Sequence, residues 1–252
     1  MATTNDDLTK KAAEAAETTG ETPVPEEGAE EATRSVHTTF ARNLTQMREI
    51  VDLSLIDPTL KQYALDYGYS PERIGVGKTL YDETARLYEN QKTKLAEWKA
   101  AVFRFNEKRA EADKTVMRII EIARVAFKND PVTFEALGLK GRRKQAYGDW
   151  EVQNKYFYNK ILSMPEAIAQ IATYTVSQAE MEAGQQQLME LIALHNAIKD
   201  AKAEAQHATE LKDKAFRKLK KWIRKYLNVM KEALEEIPQM KEKLGIITPE
   251  VV

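Results

Sequence analysis

From Leu80 to Phe127, seam positions recur every three or four residues: Leu80, Thr84, Leu87, Gln91, Lys94 or Leu95, Trp98, Val102, Phe105, Arg109, Ala112, Val116, Ile119, Ala123 and Phe127. This is the one-sided stripe of a helix, at coiled-coil spacing. No glycine or proline stands between Gly77 and Pro131 to interrupt it. A single helix over residues 72–129 would extend roughly 87 Å at the standard rise. The alternative is a hairpin turning near Asn106–Asp113, where the stripe weakens. The absence of turn residues favours the continuous form. Upstream, Phe40, Leu44, Met47, Val51 and Leu55 share one face of a first helix. Asp57-Pro58 then reads as a cap and first position of a short helix carrying Leu60, Tyr63, Ala64 and Tyr67, which stops at Gly68. Ser70-Pro71 repeats the start signal, and Asn129-Asp130-Pro131 ends the long run.

The same pattern occurs twice, 107 positions apart, without a gap: Pro58 and Pro165, Tyr67 and Tyr174, Ser70 and Ser177, Gly77 and Gly184, Leu87 and Leu194, Pro131 and Pro238, Leu137-Gly138 and Leu244-Gly245. In the second copy, Tyr156–Leu162 predicts the first helix and Pro165–Thr175 the short one. Leu188, Leu191, His195, Ile198, Phe216, Leu219, Ile223, Tyr226, Met230 and Ile237 mark the long face. Because proline and glycine punctuate helices, matched punctuation predicts matched architecture. The expected fold is all-α: an elongated helical bundle with long coiled-coil-like helices and an internal tandem duplication. Its expected parts are an acidic tail (1–35), repeat 1 (36–140), a short basic linker (141–150), repeat 2 (151–246) and a C-terminal tail (247–252).

Composition changes this picture at the N-terminus. Residues 1–35 hold nine acids against Lys10, Lys11 and Arg34, and Leu8 and Val24 are the only large apolar residues after Met1. Such a segment buries too little to offset its ordering entropy, so it is expected to be disordered. Over the whole chain, 38 basic residues meet 39 acidic ones, which gives no general reason to expect nucleic acid. There is no cysteine, which excludes disulfides, thiolate metal sites and thiol catalysis. No stretch has the length of a membrane span, and the first twenty residues lack the apolar centre of a secretory signal. The default expectation is a cytoplasmic protein, with signal-independent export left open.

The tandem plan, each long helix ending in a proline-containing turn and closing in Ala136-Leu137-Gly138-Leu139 or Lys243-Leu244-Gly245-Ile246, resembles a group of bacterial tandem helical-repeat proteins of unassigned function. Many members share an alanine-rich long helix and an "ALGL" close. The likeness covers roughly residues 40–246. This chain departs in being richer in aromatics and in lacking the β-rich region some members carry. The resemblance implies no catalytic residue.

Four constellations have the residue types of a site. Gly77-Lys78-Thr79 has the end of a phosphate-binding loop, but Glu72 stands where the first glycine belongs and no strand precedes it. A glycine placed for close helix packing explains it better. Glu204 and His207 have the spacing of a bundle metal ligand pair. The matching positions of repeat 1 are Glu97 and Ala100, so no second pair exists, and His195 and His207 read as seam-edge or solvated. The aromatics Trp98, Phe103 and Phe105, and Tyr156, Phe157 and Tyr158, point in different directions around a helix and read as packing residues.

The fourth constellation is the sharpest. Lys212, Lys214, Arg217, Lys218, Lys220, Lys221, Arg224 and Lys225 form a basic face broken only by Asp213, opposite Phe216, Leu219, Trp222, Ile223 and Tyr226. Such a helix is either an ordinary bundle helix with solvated lysines or a face for polyanions. The leading expectation is a non-enzymatic structural or interaction scaffold, with protein partners or self-association and no cofactor, metal or small-molecule substrate. The alternative is a polyanion-binding module, for nucleic acid or anionic membrane, using residues 212–225. A helical-bundle metal-binding protein is the remote third.

Overall fold

The computed structural model describes the backbone of residues 27–246 and the side chains from Thr39 to Ile246. Those residues form eight helices and no strand: α1 (Glu27–Ile56), α2 (Pro58–Asp66), α3 (Pro71–Ala126), α4 (Pro131–Ala136), α5 (Tyr147–Leu162), α6 (Pro165–Ala172), α7 (Gln178–Ala233) and α8 (Pro238–Lys243). The fold is all-α. Both long helices are continuous, so the hairpin alternative falls. Each has 56 residues. Their bounds are 107 positions apart at both ends, and so are those of α4 and α8.

The starts and stops have the chemistry their residues suggest. Asp57 accepts hydrogen bonds from the amides of Thr59 (2.9 Å) and Leu60 (3.1 Å) before Pro58 opens α2. Asp130 does the same for Thr133 at 3.1 Å before α4. At Ser177 the capping is reciprocal: the Glu180 amide donates to the Ser177 hydroxyl (3.2 Å), and the Ser177 amide donates to the Glu180 carboxylate (3.0 Å). The two closing turns are also alike. Gly138 and Gly245 adopt φ of +61° and +69°. The amide after each donates back five residues, Leu139 to Phe134 and Ile246 to Lys241, as in a Schellman motif. The leucine before each glycine, Leu137 or Leu244, is thereby turned into a core.

Two boundaries differ from the sequence reading. Residues 1–26 and 247–252 of the expected tails lie outside the described residues, but 27–35 are the first turns of α1, where Glu and Ala favour helix. The expected linker 141–150 is shorter, because Tyr147 to Trp150 already form the first turn of α5. Tyr147 and Trp150 are buried there, and their packing draws the helix start upstream.

The compact units cross the repeats. One comprises residues 97–202: the second half of α3, α4, α5, α6 and the first half of α7. The other comprises residues 27–96 with 203–246: α1, α2, the first half of α3, the second half of α7, and α8. Each unit therefore joins a segment of one repeat to the complementary segment of the other. In the contiguous unit, Phe105, Ile119, Ile120, Phe127, Leu137, Leu139, Phe157, Tyr158, Ile161 and Ile171 are fully buried in one cluster. The split unit holds two clusters: Leu60, Tyr69, Ile74, Tyr226, Met230, Leu234 and Leu244 in one, and Phe40, Leu44, Val51, Tyr88, Leu219 and Ile223 in the other. Full burial of one such side chain is worth about 1.5–3 kcal/mol. Among the described residues no helix is long and apolar enough to cross a membrane.

The matched glycines show how tightly the long helices are overlaid. A Cβ at Gly77 would lie far inside van der Waals distance of the Trp222 ring, and one at Gly184 would meet the Tyr158 hydroxyl. The glycines are equivalent, while the covering rings come from α7 in one unit and α5 in the other. Gly75, two residues from Gly77, has open space where a Cβ would stand, with no atom within 4 Å beyond its chain neighbours and its own helix backbone, so it serves neither a turn nor a packing contact. Gly77→Ala should therefore destabilise by about 1–3 kcal/mol through overpacking, whereas Gly75→Ala should stabilise by about 0.5–1 kcal/mol through helix propensity. Chemical unfolding of the two variants should give midpoints on opposite sides of the parent's.

Candidate polyanion-binding face

The second half of α7 divides cleanly by periodicity. Leu219, Ile223, Tyr226 and Met230 are buried, with Phe216 and Trp222 half-buried beside them. The opposite side carries Lys214, Arg217, Lys218, Lys220, Lys221, Arg224 and Lys225, all exposed. At 100° per residue these seven cations fall within an arc of about 160°. None of the seven forms an ion pair with a described residue. The one acid inside the run, Asp213, is held by Lys212 at 2.9 Å.

Lys212 is a correction to the expected face. Its side chain is only 7% exposed and turns inward. Its ammonium lies 4.8 Å from the centre of the Phe40 ring. Phe40 in turn contacts Tyr88 and Phe216, at centroid distances of 4.7 and 4.6 Å. The duplication contains the signal for this: position 212 is equivalent to Phe105, a core residue. Lys212 keeps a seam position and satisfies its charge by Asp213 and a ring face.

The equivalent stretch of the other repeat, Phe105–Arg118, lies in the contiguous unit, and most of its cations are engaged. Lys108 pairs with Glu111 at 2.6 Å and Arg118 with Glu180 at 2.9 Å. Arg109 donates to the Gln145 carbonyl and lies over the rings of Tyr147 and Trp150. A run of unpaired charge at this helical position is thus a property of one repeat only.

That unit holds instead an aromatic cluster of Phe105, Tyr147, Trp150 and His195. The His195 ring lies 4.3 Å from Tyr147 and 5.5 Å from Phe105, between centroids. Its Nδ1 is buried without a hydrogen-bond partner. Burial lowers its pKa below 6.5, and Lys199 and Arg109 push the same way against Glu151. Burial likewise raises Tyr147 above the usual tyrosine range. Trp150 donates to Asp113 at 2.7 Å, which fixes the start of α5 against α3. In the linker, Arg143 is buried with its Nε and Nη2 unpartnered, and its pKa is pushed down to about 10 by burial and by Arg124.

The other constellations carry less. Gly77-Lys78-Thr79 lies within helix α3, with Lys78 paired to Asp82 at 2.7 Å and the Thr79 hydroxyl donating to the Gly75 carbonyl. Glu204 and His207 are exposed, and Glu204 pairs with Lys94 at 2.8 Å. Among the described residues no group of three His, Cys, Asp or Glu is placed to hold a metal. Phe105, Phe157 and Tyr158 are buried, while Phe103 and Tyr156 are exposed, so neither aromatic run forms a platform. A recess of about 350 Å³ lined by Arg118, Glu121, Ile122, Val125 and Tyr174 brings no nucleophile beside a base.

Two outcomes test this placement. Lys212→Glu should cost about 2–4 kcal/mol, since it sets a carboxylate against Phe40 and beside Asp213, while Lys218→Glu should leave the thermal midpoint nearly unchanged. For His195, the unfolded chain takes up the proton first as pH falls. Its contribution to stability is therefore complete above pH 6.5 and is lost as pH drops below that value. Urea midpoints at pH 7.5 and 5.0 should differ less in His195→Phe than in the parent.

Compared with protein-family models, curated proteins and solved structures, the chain matches none, so its function is read from this geometry alone.

Proposed function

We propose that the chain is a non-enzymatic helical interaction module that binds a phosphodiester polyanion, a nucleic-acid backbone, through the exposed cationic face of α7. The observation that carries this reading is the set of seven exposed cations between Lys214 and Lys225 without a described acidic partner. Twelve helical residues extend about 17 Å. Duplex DNA carries about ten phosphates over that distance on its two strands, so those on the near side are spaced closely enough to meet several of the cations. Five of the seven are lysines, point charges on flexible stems, which suit a repeating backbone better than a base edge.

An anionic bilayer fits less well. A helix that inserts into a headgroup layer needs a free apolar side, and the apolar side of α7 is occupied by the cores of its unit. The scaffold aspect rests on the unbroken 56-residue helices, which hold the cationic face on a stiff support. Because the whole chain is near neutral, the attraction is local to this face, and salt screens it.

Fluorescence anisotropy with a mixed-sequence DNA duplex, between 50 and 200 mM salt, tests the reading. The parent should bind with a steep salt dependence. Changing Lys218, Lys221 and Lys225 to Gln should lower the slope of log K against log salt by about three, with helicity unchanged by circular dichroism. Equal binding by parent and variant would sink the proposal, and preference for phosphatidylserine vesicles over duplex would transfer it to membranes.

A further inference from the structure

The exposed cationic face is available to any acidic segment within reach, and the chain carries one of matching charge. Residues 1–26 contain six acids, Asp6, Asp7, Glu14, Glu17, Glu21 and Glu26, against Lys10 and Lys11, and no large apolar residues beyond Leu8 and Val24 after Met1. We infer that this acidic segment docks in cis on the Lys214–Lys225 face and competes there with external polyanions.

The route follows from the packing of the split unit. Phe40 of α1 meets Lys212 and Phe216 of α7. Further along α1, Leu44 and Val51 share a cluster with Leu219 and Ile223. Ile50 and Leu53 then pack on the cluster holding Tyr226 and Met230. Helix α1 thus runs parallel to the second half of α7. Glu27 begins α1 thirteen residues before Phe40, about 20 Å of helix. To reach Lys225 a segment must cover about 40 Å back along α7. Twenty-six residues span up to roughly 86 Å when extended, so the segment reaches the whole face with slack. Tethering sets its local concentration near the millimolar range. Weak, exposed ion pairs therefore suffice for substantial occupancy at low salt, and screening removes it at high salt.

The inference rests on the polyanion reading, and the experiment separates the two. The full chain is compared with a full-length variant carrying Asp6→Asn, Asp7→Asn, Glu14→Gln, Glu17→Gln, Glu21→Gln and Glu26→Gln. Lysine acylation read by mass spectrometry should show Lys218, Lys221 and Lys225 less reactive in the parent at 20 mM salt, with the difference gone at 500 mM. Duplex affinity at 50 mM salt should rise at least about threefold in the variant. Equal acylation in both chains overturns the cis contact whether or not DNA binds. Salt-sensitive protection in chains that bind no duplex upholds the contact and discards the nucleic-acid reading.

Discussion

An apolar stripe on a 56-residue helix must be covered along its whole length, and most of the architecture follows from that requirement. Neither α3 nor α7 has an interior break at which the chain could fold back, so cover must come from elsewhere. Over one half of α3 it comes from α1, α2 and the second half of α7. Over the other it comes from α5, α6 and the first half of α7. Each repeat thus lends one half of its long helix to each compact unit. A helix that stays unbroken for 56 residues cannot fold back to cover itself, so its two halves are covered by different segments.

This explains why equivalent positions carry different chemistry. Positions 40 and 147, 88 and 195, and 105 and 212 occupy the same places in the duplicated pattern. In the split unit they are Phe, Tyr and Lys; in the contiguous unit Tyr, His and Phe. Each set keeps aromatic surface with one basic member, although that member stands at a different position. Volume and ring contact are held, while the site of the charge moves. With Arg109 standing where Phe216 stands in the other repeat, the surface charge pattern diverges too.

Much of the fold was legible in the residues. Asp57, Asp130 and Ser177 are caps, the Gly138 and Gly245 turns close as their residues imply, and the absence of glycine and proline from residues 78–130 and 185–237 forecasts unbroken helices there. The pairing of half-repeats was not legible, because periodicity reports which side of a helix is buried and not what buries it. The basic face was legible as charge. The inward turn of Lys212 was concealed by side-chain type, since a lysine ordinarily reads as solvent, although its alignment with Phe105 marked a core position. The burial of Tyr147, which moves the start of α5, was hidden in a stretch whose Arg142, Arg143 and Lys144 suggest a linker.

The two units also differ in when they can be completed. Residues 97–202 are contiguous, so every partner of that core has emerged once α7 is half made. The other core joins α1, α2 and the start of α3 to residues beyond 203, and about a hundred residues separate its two parts. During synthesis, therefore, Leu60, Tyr69 and Ile74 are made early and have only the cover of α1 and α2 until Tyr226, Met230 and Leu244 arrive. Of the two cores, the split one is therefore completed later, so α1, α2 and the start of α3 are the segments in most need of protection while the chain is being made.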